Sequence, residues 1–314
     1  MGRFLITGGA GFIGSHLVHS LRARGERVRV LDDLSAGSAD RLPPSSPDCE
    51  LVVGTVCDPD TVERCCEGVD RVVHLAARVS VPWSVEHPAE TLAINSGGTG
   101  VVVDAAARTG VGRLVLASSC AVYGDPQQMP VDESCPLSPA SPYAASKLAA
   151  EERVLGASDA GNLSGVALRF FNVYGPGQDP ASPYAAVVPL FASAVLRGDP
   201  ITLFGDGRQS RDFVFVGDVV AAIRAACATE RGGGRALNVG TGVGTSLRQL
   251  VRGLKDLTGL PALVEHAAAR AGDVRHSRAA VESADRTLGF RAGTPLLEGL
   301  RRVLEGLRAQ EECR

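Results

Sequence analysis

The stretch TGGAGFIG, residues 7–14, decides the fold of this 314-residue chain. A short apolar segment, Phe4–Thr7, precedes it, and a helical pattern follows it. Gly8, Gly11 and Gly14 allow a tight turn, close approach of the backbone to a pyrophosphate, and packing of the helix on the strand. The free N–H groups and the positive dipole end of that helix attract phosphate. The stretch therefore predicts a dinucleotide-binding turn.

An acidic pair, Asp32 and Asp33, ends the next apolar segment at the interval expected for such a turn. We expect Asp32 to accept hydrogen bonds from the adenosine ribose hydroxyls. Its carboxylate would also repel a 2′-phosphate, so the pair favours NAD over NADP.

Short apolar runs alternate with helical patterns through the first half of the chain. Because these runs are rich in β-branched residues and apolar on both faces, they are typical of strands in a buried parallel sheet. The predicted strands are Phe4–Thr7, Val28–Leu31, Leu51–Val53, Arg71–Leu75, Arg113–Ala117 and Val166–Phe170. The predicted helices are Gly14–Arg24, Asp58–Cys66, Pro88–Thr109 and Pro142–Gly156. The alternation predicts an α/β fold, a Rossmann-type doubly wound parallel sheet.

The pattern changes after Asn172, where a Gly- and Pro-rich loop is followed by shorter strands and further helices. The predicted elements here are Tyr184–Arg197, Ile201–Phe204, Asp212–Val216, Asp218–Ala228, Ser246–Thr258 and Pro295–Ala309. We expect residues 1–172 to form the NAD-binding domain. Residues 173–314 should form mainly a smaller C-terminal substrate-binding lobe, with some elements returning to the large sheet.

Composition excludes several classes of function. The chain is 45% hydrophobic and 21% charged, with a net charge of −3 and no basic stripe, so neither nucleic acid nor an anionic membrane is an expected partner. It shows no signal peptide and no apolar run of about 18 residues, so we expect a cytoplasmic protein. The eight cysteines are scattered without metal-ligand spacing, which favours reduced thiols and no metal site.

Tyr143 and Lys147 stand four residues apart in a predicted helix, so both side chains project from one face. A phenol is a weak base at neutral pH, but a neighbouring ammonium and a positive nicotinamide ring are expected to lower its pKa. Ser119, at the end of the preceding strand, can hydrogen-bond to the same substrate hydroxyl. Together the three residues predict removal of a proton from an alcohol while hydride leaves for nicotinamide.

These motifs, in this order, resemble the extended short-chain dehydrogenases/reductases of the NAD-dependent epimerase/dehydratase family. Within it, the sequence is most similar to UDP-sugar 4-epimerases. The segments that carry the resemblance are Thr7–Gly14, His74–Ala77, Ser118–Ser119, Val122–Gly124, Tyr143–Lys147, Arg169–Gly175 and Arg211–Phe213.

The resemblance implies that a UDP-sugar is oxidised at C4 and that hydride then returns to the opposite face. It implies Tyr143 as the catalytic base, Lys147 as its activator and Ser119 as the second hydroxyl contact. The expected cofactor-binding residues are Gly8, Gly11, Phe12, Ile13, Gly14, Asp32, Asp33, Val56, Leu75, Ala76, Ala77, Tyr143 and Lys147. The expected substrate-binding residues are Val81, Ser119, Cys120, Tyr143, Asn172, Val188, Arg211, Arg270 and Ser277.

The sequence departs from the related dehydratases at two positions. These enzymes carry an Asp-Glu pair where this chain has Cys120 and Ala121. Ala121 cannot act as a base, which favours epimerisation, and Cys120 is more simply explained as a small buried thiol than as an acid. A dehydratase or decarboxylase that shares the C4 oxidation remains the alternative, and a non-catalytic NAD-binding sensor is a weaker one.

Ser277 occupies a position that, in related epimerases, limits the space beside the sugar 2-substituent. Its small side chain predicts that UDP-GlcNAc and UDP-GalNAc are accepted as well as UDP-glucose and UDP-galactose. The resemblance also implies a homodimer, joined through the helices Pro88–Thr109 and Pro142–Gly156.

Overall fold

The computed structural model describes residues 2–182, 185–229, 231–269 and 274–312. Its strands are β1 (Arg3–Thr7), β2 (Arg27–Asp32), β3 (Cys49–Val53), β4 (Arg71–His74), β5 (Arg113–Ser119), β6 (Gly165–Phe170), β7 (Asn172–Tyr174), β8 (Ile201–Phe204), β9 (Ser210–Arg211), β10 (Phe213–Phe215), β11 (Arg235–Val239), β12 (Thr245–Ser246) and β13 (Val264–Ala267). Its helices are α1 (Phe12–Arg22), α2 (Pro59–Cys66), α3 (Val81–Glu86), α4 (Pro88–Leu92), α5 (Gly98–Arg108), α6 (Pro142–Asp159), α7 (Val187–Arg197), α8 (Val216–Ala228), α9 (Leu247–Thr258), α10 (Glu282–Leu288) and α11 (Leu296–Glu312).

Within the described residues, seven parallel strands form one sheet in the order β11-β6-β5-β4-β1-β2-β3. The strand β1 pairs with both β2 and β4, so the direction of winding reverses between β1 and β4. In sheets of this kind, ligands bind beyond the carboxyl ends of the strands at that reversal. The Rossmann-type doubly wound fold predicted from the sequence is confirmed.

Apolar layers cover both faces of the sheet. Ile6 of β1 packs with Leu17 of α1 on one face, whereas its neighbour Leu5 packs with Val102 of α5 on the other. Because successive side chains of a strand point to opposite faces, a strand covered on both sides needs apolar residues at consecutive positions. This explains the continuous apolar run at the start of the chain.

One strand of the large sheet was not predicted. The edge strand β11 pairs in parallel with β6, and it carries Asn238, which is fully buried. A polar residue inside a short apolar run, directly after the glycines of residues 232–234, hides the strand pattern. The asparagine is satisfied by Tyr123, whose hydroxyl donates to Asn238 Oδ1 at 2.7 Å.

The predicted helix Pro88–Thr109 is not a regular α-helix. A π-helical segment, Ala93–Gly97, joins α4 to α5. Such segments widen one turn and are frequent at functional sites. Here the segment contains Asn95, which contacts the catalytic helix as described below.

The chain after residue 172 builds a second apolar core. Tyr174, Ile201, Leu250 and Leu300 are buried there, among the helices α7, α9 and α11. The strand pairs β7–β10 and β8–β13 are parallel, and the pair β9–β12 is antiparallel. A domain boundary at residue 172 stays a prediction. Among the described residues, no helix has both the length and the apolar character needed to cross a bilayer.

Candidate active site

Ser119 lies at the carboxyl end of β5, at the edge where ligands bind in this fold. A 3-10 turn, Cys120–Tyr123, follows directly, and Ser119 Oγ caps it by accepting a hydrogen bond from the Ala121 N–H at 3.2 Å. The same hydroxyl hydrogen-bonds with the Tyr143 phenol. The cap and the phenol together hold the hydroxyl at the sheet edge.

Tyr143 and Lys147 lie in the first two turns of α6. The helix begins with a proline, and Ser141 caps it by accepting a hydrogen bond from the Ala144 N–H at 3.1 Å. The Lys147 side chain is buried, and its Nζ donates to the carbonyl of Ala117 at 2.8 Å. The predicted placement of both side chains on one helix face, next to the end of β5, fits this geometry.

Burial dominates the electrostatics of these two groups. It raises the pKa of Tyr143 to about 12, against the opposing effect of the Ser119 hydrogen bond. It lowers the pKa of Lys147 to about 8. The expectation that Lys147 lowers the pKa of Tyr143 is therefore wrong for the protein alone, because the ammonium is turned towards a backbone carbonyl and the phenol is desolvated.

The glycine turn packs too closely for side chains. Gly8 has a φ of +68°, and a Cβ there would lie 2.6 Å from the backbone nitrogen of Ala76. A Cβ on Gly14 would lie 2.3 Å from the Gly8 carbonyl oxygen. Gly11 is the N-cap of α1, and no side chain caps the first turn of that helix. Its N–H groups therefore remain available to a phosphate, as NAD binding requires.

Asp32 connects β2 to the glycine turn. Its carboxylate is 7% exposed and accepts hydrogen bonds from the N–H groups of Ala10 and Leu34, both at 2.9 Å. A carboxylate has about four acceptor sites, so two remain for the ribose hydroxyls. Asp33 is exposed and accepts from the Ser35 N–H at 2.9 Å. The turn and the two carboxylates fit the adenosine half of NAD.

The other residues predicted to contact the cofactor are Phe12, Ile13, Val56, Leu75, Ala76 and Ala77. The side chains of Phe12 and Ile13 pack into the apolar cores, so only their backbone groups face the turn. The Ala76 N–H donates to Thr7 Oγ1 at 3.3 Å, which holds the segment after β4 against the end of β1. Val56 is buried against Gly98.

Cys120, Ser277 and Arg211 come together on the side of the site away from the glycine turn. Burial raises the pKa of the Cys120 thiol to about 11, although a hydrogen bond with Ser277 and the nearby charge of Arg211 oppose the shift. The thiol is therefore protonated at neutral pH. Arg211 Nη1 donates to the Ser210 carbonyl at 2.9 Å.

Asp212, the next residue, holds this side of the site together. Its fully buried carboxylate accepts hydrogen bonds from the N–H groups of Thr241, Gly242 and Ala279 at 2.7–3.1 Å. Its carbonyl accepts from the Asn172 N–H at 2.9 Å. Asp212 thus fixes the position of Asn172 and of the segment that carries Ser277, a role that the sequence motif did not reveal.

The model of the NAD dependent epimerase/dehydratase family matches residues 4–240. This chain belongs to that family. The UDP-glucose 4-epimerase of Mycolicibacterium smegmatis is 41% identical, over 99% of this chain and 100% of that protein. A dTDP-glucose 4,6-dehydratase of Streptomyces niveus is 34% identical, over 98% of this chain and 93% of that protein.

Two solved structures share the fold of this family member over almost its whole length. The UDP-N-acetylglucosamine 4-epimerase of Methanobrevibacter ruminantium, in complex with UDP-N-acetylmuramic acid, superposes with a TM-score of 0.94 at 34% identity, covering 98% of this chain and 99% of that one. The UDP-glucose 4-epimerase of Thermus thermophilus, in complex with NAD, gives 0.89 at 37%, with the same coverage of 98% and 99%. The chain is an extended short-chain dehydrogenase/reductase, and its cofactor is NAD.

Three predicted substrate contacts of this family member lie apart from the cluster around Cys120. Val81 begins α3 and is 42% exposed. Val188 is buried in the C-terminal core. Arg270 lies outside the described residues.

A buried polar chain that the sequence did not reveal begins at His74. His74 Nδ1 lies 2.6 Å from Thr7 Oγ1, and its Nε2 lies 3.0 Å from Thr99 Oγ1. Because the Thr99 hydroxyl donates its proton to the Asn95 carbonyl, it must accept from His74 Nε2, which leaves Nδ1 to accept from Thr7. The histidine is therefore neutral, and burial together with Lys147 lowers its pKa to about 3.

Asn95 carries this chain to the catalytic helix. Its Nδ2 donates to Ser146 Oγ at 2.9 Å, and the Ser146 hydroxyl donates to the carbonyl of Tyr143 at 2.8 Å. The glycine-turn strand and the catalytic tyrosine are thus joined by hydrogen bonds. A polar Asn inside the apolar stripe of a predicted helix was the available signal.

Proposed function

We propose that this family member interconverts UDP-hexoses at C4, both UDP-glucose with UDP-galactose and UDP-GlcNAc with UDP-GalNAc. The observation that carries the proposal is the contact of Ser119 with Tyr143 at the sheet edge beside the glycine turn, with Lys147 one helical turn further along α6. The 4-epimerases among the relatives support the same reaction.

The proposed mechanism uses Tyr143 as the proton acceptor and donor. When bound, NAD supplies a hydride acceptor and a positive charge that favours ionisation of the phenol. Tyr143 takes the proton of the sugar 4-hydroxyl, and Ser119 hydrogen-bonds to the same oxygen. The 4-keto sugar then rotates in the site, and Tyr143 returns the proton when C4 is reduced from the opposite face. Lys147, which is protonated at neutral pH, stabilises the phenolate and holds the nicotinamide ribose.

Arg211 and Asn172 are the proposed contacts for the diphosphate of the substrate. A guanidinium matches the geometry of a phosphate and keeps its charge at every accessible pH. Asp212 fixes both residues, as described above. The proposed contribution of Arg270 rests on its motif alone.

An elimination of water is the competing reaction. The protonated thiol of Cys120 could transfer a proton to a departing hydroxyl, but Ala121 offers no base beside it. A related dehydratase is among the relatives, so the mass of the product decides between the two reactions.

The test is to incubate the purified protein and NAD separately with UDP-galactose, UDP-GalNAc and UDP-glucuronate. Chromatography with mass spectrometry should find a product of unchanged mass, in the same final ratio from either C4 epimer. A product lighter by water or carbon dioxide would replace the epimerase by a lyase. The variant Tyr143→Phe should bind UDP-galactose normally and lose nearly all turnover, whereas unchanged turnover would refute the assignment of the base.

Ser277 is the proposed determinant of the sugar 2-substituent. Its side chain is small and hydrogen-bonds with Cys120. The variant Ser277→Tyr should lose turnover of UDP-GalNAc by about a hundredfold while keeping most turnover of UDP-galactose, since a bulky ring removes the space for an N-acetyl group. Failure of the wild type to convert UDP-GalNAc, when it converts UDP-galactose, would refute this part of the proposal.

The division of labour along the chain is also a proposal. Residues 1–172 bind NAD and carry the three catalytic side chains, and residues 173–314 mainly bind the substrate. We further propose that two copies associate through the helices of residues 88–109 and 142–156.

A further inference from the structure

Arg78 contains an unusual donor. Its Nε is, within the described residues, the one buried side-chain nitrogen or oxygen without a hydrogen-bond partner. Such a donor costs free energy, so a site that keeps one commonly meets its acceptor in another state. The rest of the Arg78 side chain is well held, which makes the missing acceptor at Nε more informative.

The segment that carries Arg78 borders one side of the dinucleotide cleft. A Cβ on Gly8 would lie 2.6 Å from the Ala76 nitrogen, so the chain after β4 lies directly against the glycine turn. The loop after β2 lies against the other side, where the Ser38 N–H donates to the Ala10 carbonyl at 3.2 Å. Because β1 lies between β2 and β4, the two segments flank its carboxyl end.

The Arg78 side chain bridges these two walls. Its Nη1 donates to Ser35 Oγ, in the loop after β2, at 2.7 Å. Ser35 in turn donates to the carboxylate of Asp33, one of the residues predicted to meet the adenosine ribose. The guanidinium therefore spans the end of β1, where the dinucleotide binds in this fold.

Three contacts hold the bridge in place. The guanidinium lies 5.6 Å from the centre of the Trp83 ring, and its Nη2 lies 3.6 Å from a carboxylate oxygen of Glu90. The Arg78 N–H donates to Asn95 Oδ1 at 2.7 Å, and Asn95 Nδ2 donates back to the Arg78 carbonyl at 3.0 Å. Through Asn95, the bridge is fixed to the same polar chain that holds the catalytic helix.

We propose that Arg78 is a strap across the dinucleotide cleft and that its guanidinium binds the diphosphate of NAD. A phosphate oxygen supplies the acceptor that Nε lacks, and a guanidinium binds phosphate through parallel N–H donors. The uncapped N-terminus of α1 and Arg78 then contact the diphosphate together. The strap must open to admit or release the cofactor, so it slows the dissociation of NAD.

Binding measurements on the nucleotide-free protein test the strap without any assay of turnover. Loss of a charge-assisted contact in Arg78→Ala should raise the dissociation constants of NAD and of ADP by about tenfold to a hundredfold. Both ligands carry the diphosphate, so both should weaken. Arg78→Lys should lie between the wild type and Arg78→Ala, because it keeps the charge and loses the paired donors. Ser35→Ala should release NAD several times faster.

The matched control is Arg108→Ala, which removes an arginine that is paired with Glu63 on the surface, away from the cleft. It should bind NAD like the wild type. Unchanged dissociation constants in Arg78→Ala would overturn the proposal, and so would a weakening for NAD without one for ADP. If Arg78→Ala does not fold, wild-type binding by both Arg78→Lys and Ser35→Ala overturns it. The proposal rests on the cofactor and not on the sugar, so a failed epimerase assay leaves it standing.

Discussion

At the scale of single residues, Lys147 shows how the site opposes stability. A buried ammonium is destabilising, and burial lowers its pKa from 10.5 to about 8. Between these values the unfolded chain binds a proton that the folded chain has released, so this group makes stability rise with pH. Below pH 8 the folded protein keeps the costly charge.

The variant Lys147→Met should therefore be more stable than the wild type near pH 7, by up to about 3 kcal/mol for a pKa shift of this size. It should also have lost its turnover. The difference in unfolding free energy should shrink between pH 8 and pH 10, and urea titrations of the nucleotide-free proteins measure it. Comparing the two proteins cancels the titration of the cysteines and Tyr143, which both share. A difference that does not change with pH would contradict the buried-charge argument.

The residue scale also shows what the sequence could predict. Ser119, Tyr143, Lys147 and Asp32 were found because each stands in a motif whose spacing fixes its place at a strand end or on a helix turn. Arg78 could not be found this way, because its contact with Ser35 joins segments 43 residues apart. Nothing local to either residue indicates that contact.

At the scale of elements, α6 is held on β6 by a buried ion pair. Arg169 of β6 pairs with Glu151 of α6, and both side chains are almost fully buried. Glu151 also accepts from the Ser118 hydroxyl at 2.8 Å, and Arg169 Nη1 donates to the Tyr123 hydroxyl at 2.9 Å. The pair fixes the catalytic helix relative to the strands behind it.

Removing one member of this pair leaves the other charge buried. Glu151→Leu should lower the free energy of unfolding by about 3–5 kcal/mol, and the double variant Glu151→Leu with Arg169→Met should regain much of that loss. Urea unfolding measures both. Glu63→Ala, which breaks an exposed pair with Arg108, is the control and should unfold close to the wild type. If Glu151→Leu behaves like that control, the pair does not anchor the helix.

Element boundaries were predicted well where one physical signal acted alone. The buried strands of the large sheet showed unbroken apolar runs. The edge strand β11 was missed because Asn238 serves a tertiary hydrogen bond instead of the strand pattern. The π-helical segment at residues 93–97 was missed because its helix keeps an ordinary apolar stripe, and only the contacts of Asn95 explain the wider turn.

At the scale of the whole molecule, the proposed dimer is the main open question. The helices α4, α5 and α6 pack together on one face of the sheet, and Leu92 at the end of α4 is 51% exposed. A second copy that packs against this face would bury that side chain. Isologous contacts of this kind, with the same surface used by both subunits, are the commonest in homo-oligomers.

We therefore expect the wild type to sediment as a dimer, at twice the 32.5 kDa mass of the chain. Leu92→Glu should sediment as a monomer, because a carboxylate cannot be buried in an apolar interface without a partner. Leu297→Glu is the matched control, since Leu297 is also 51% exposed but lies on α11 in the C-terminal lobe. It should stay dimeric. A monomeric wild type would refute the dimer, and dissociation by Leu297→Glu alone would place the contact on the other lobe.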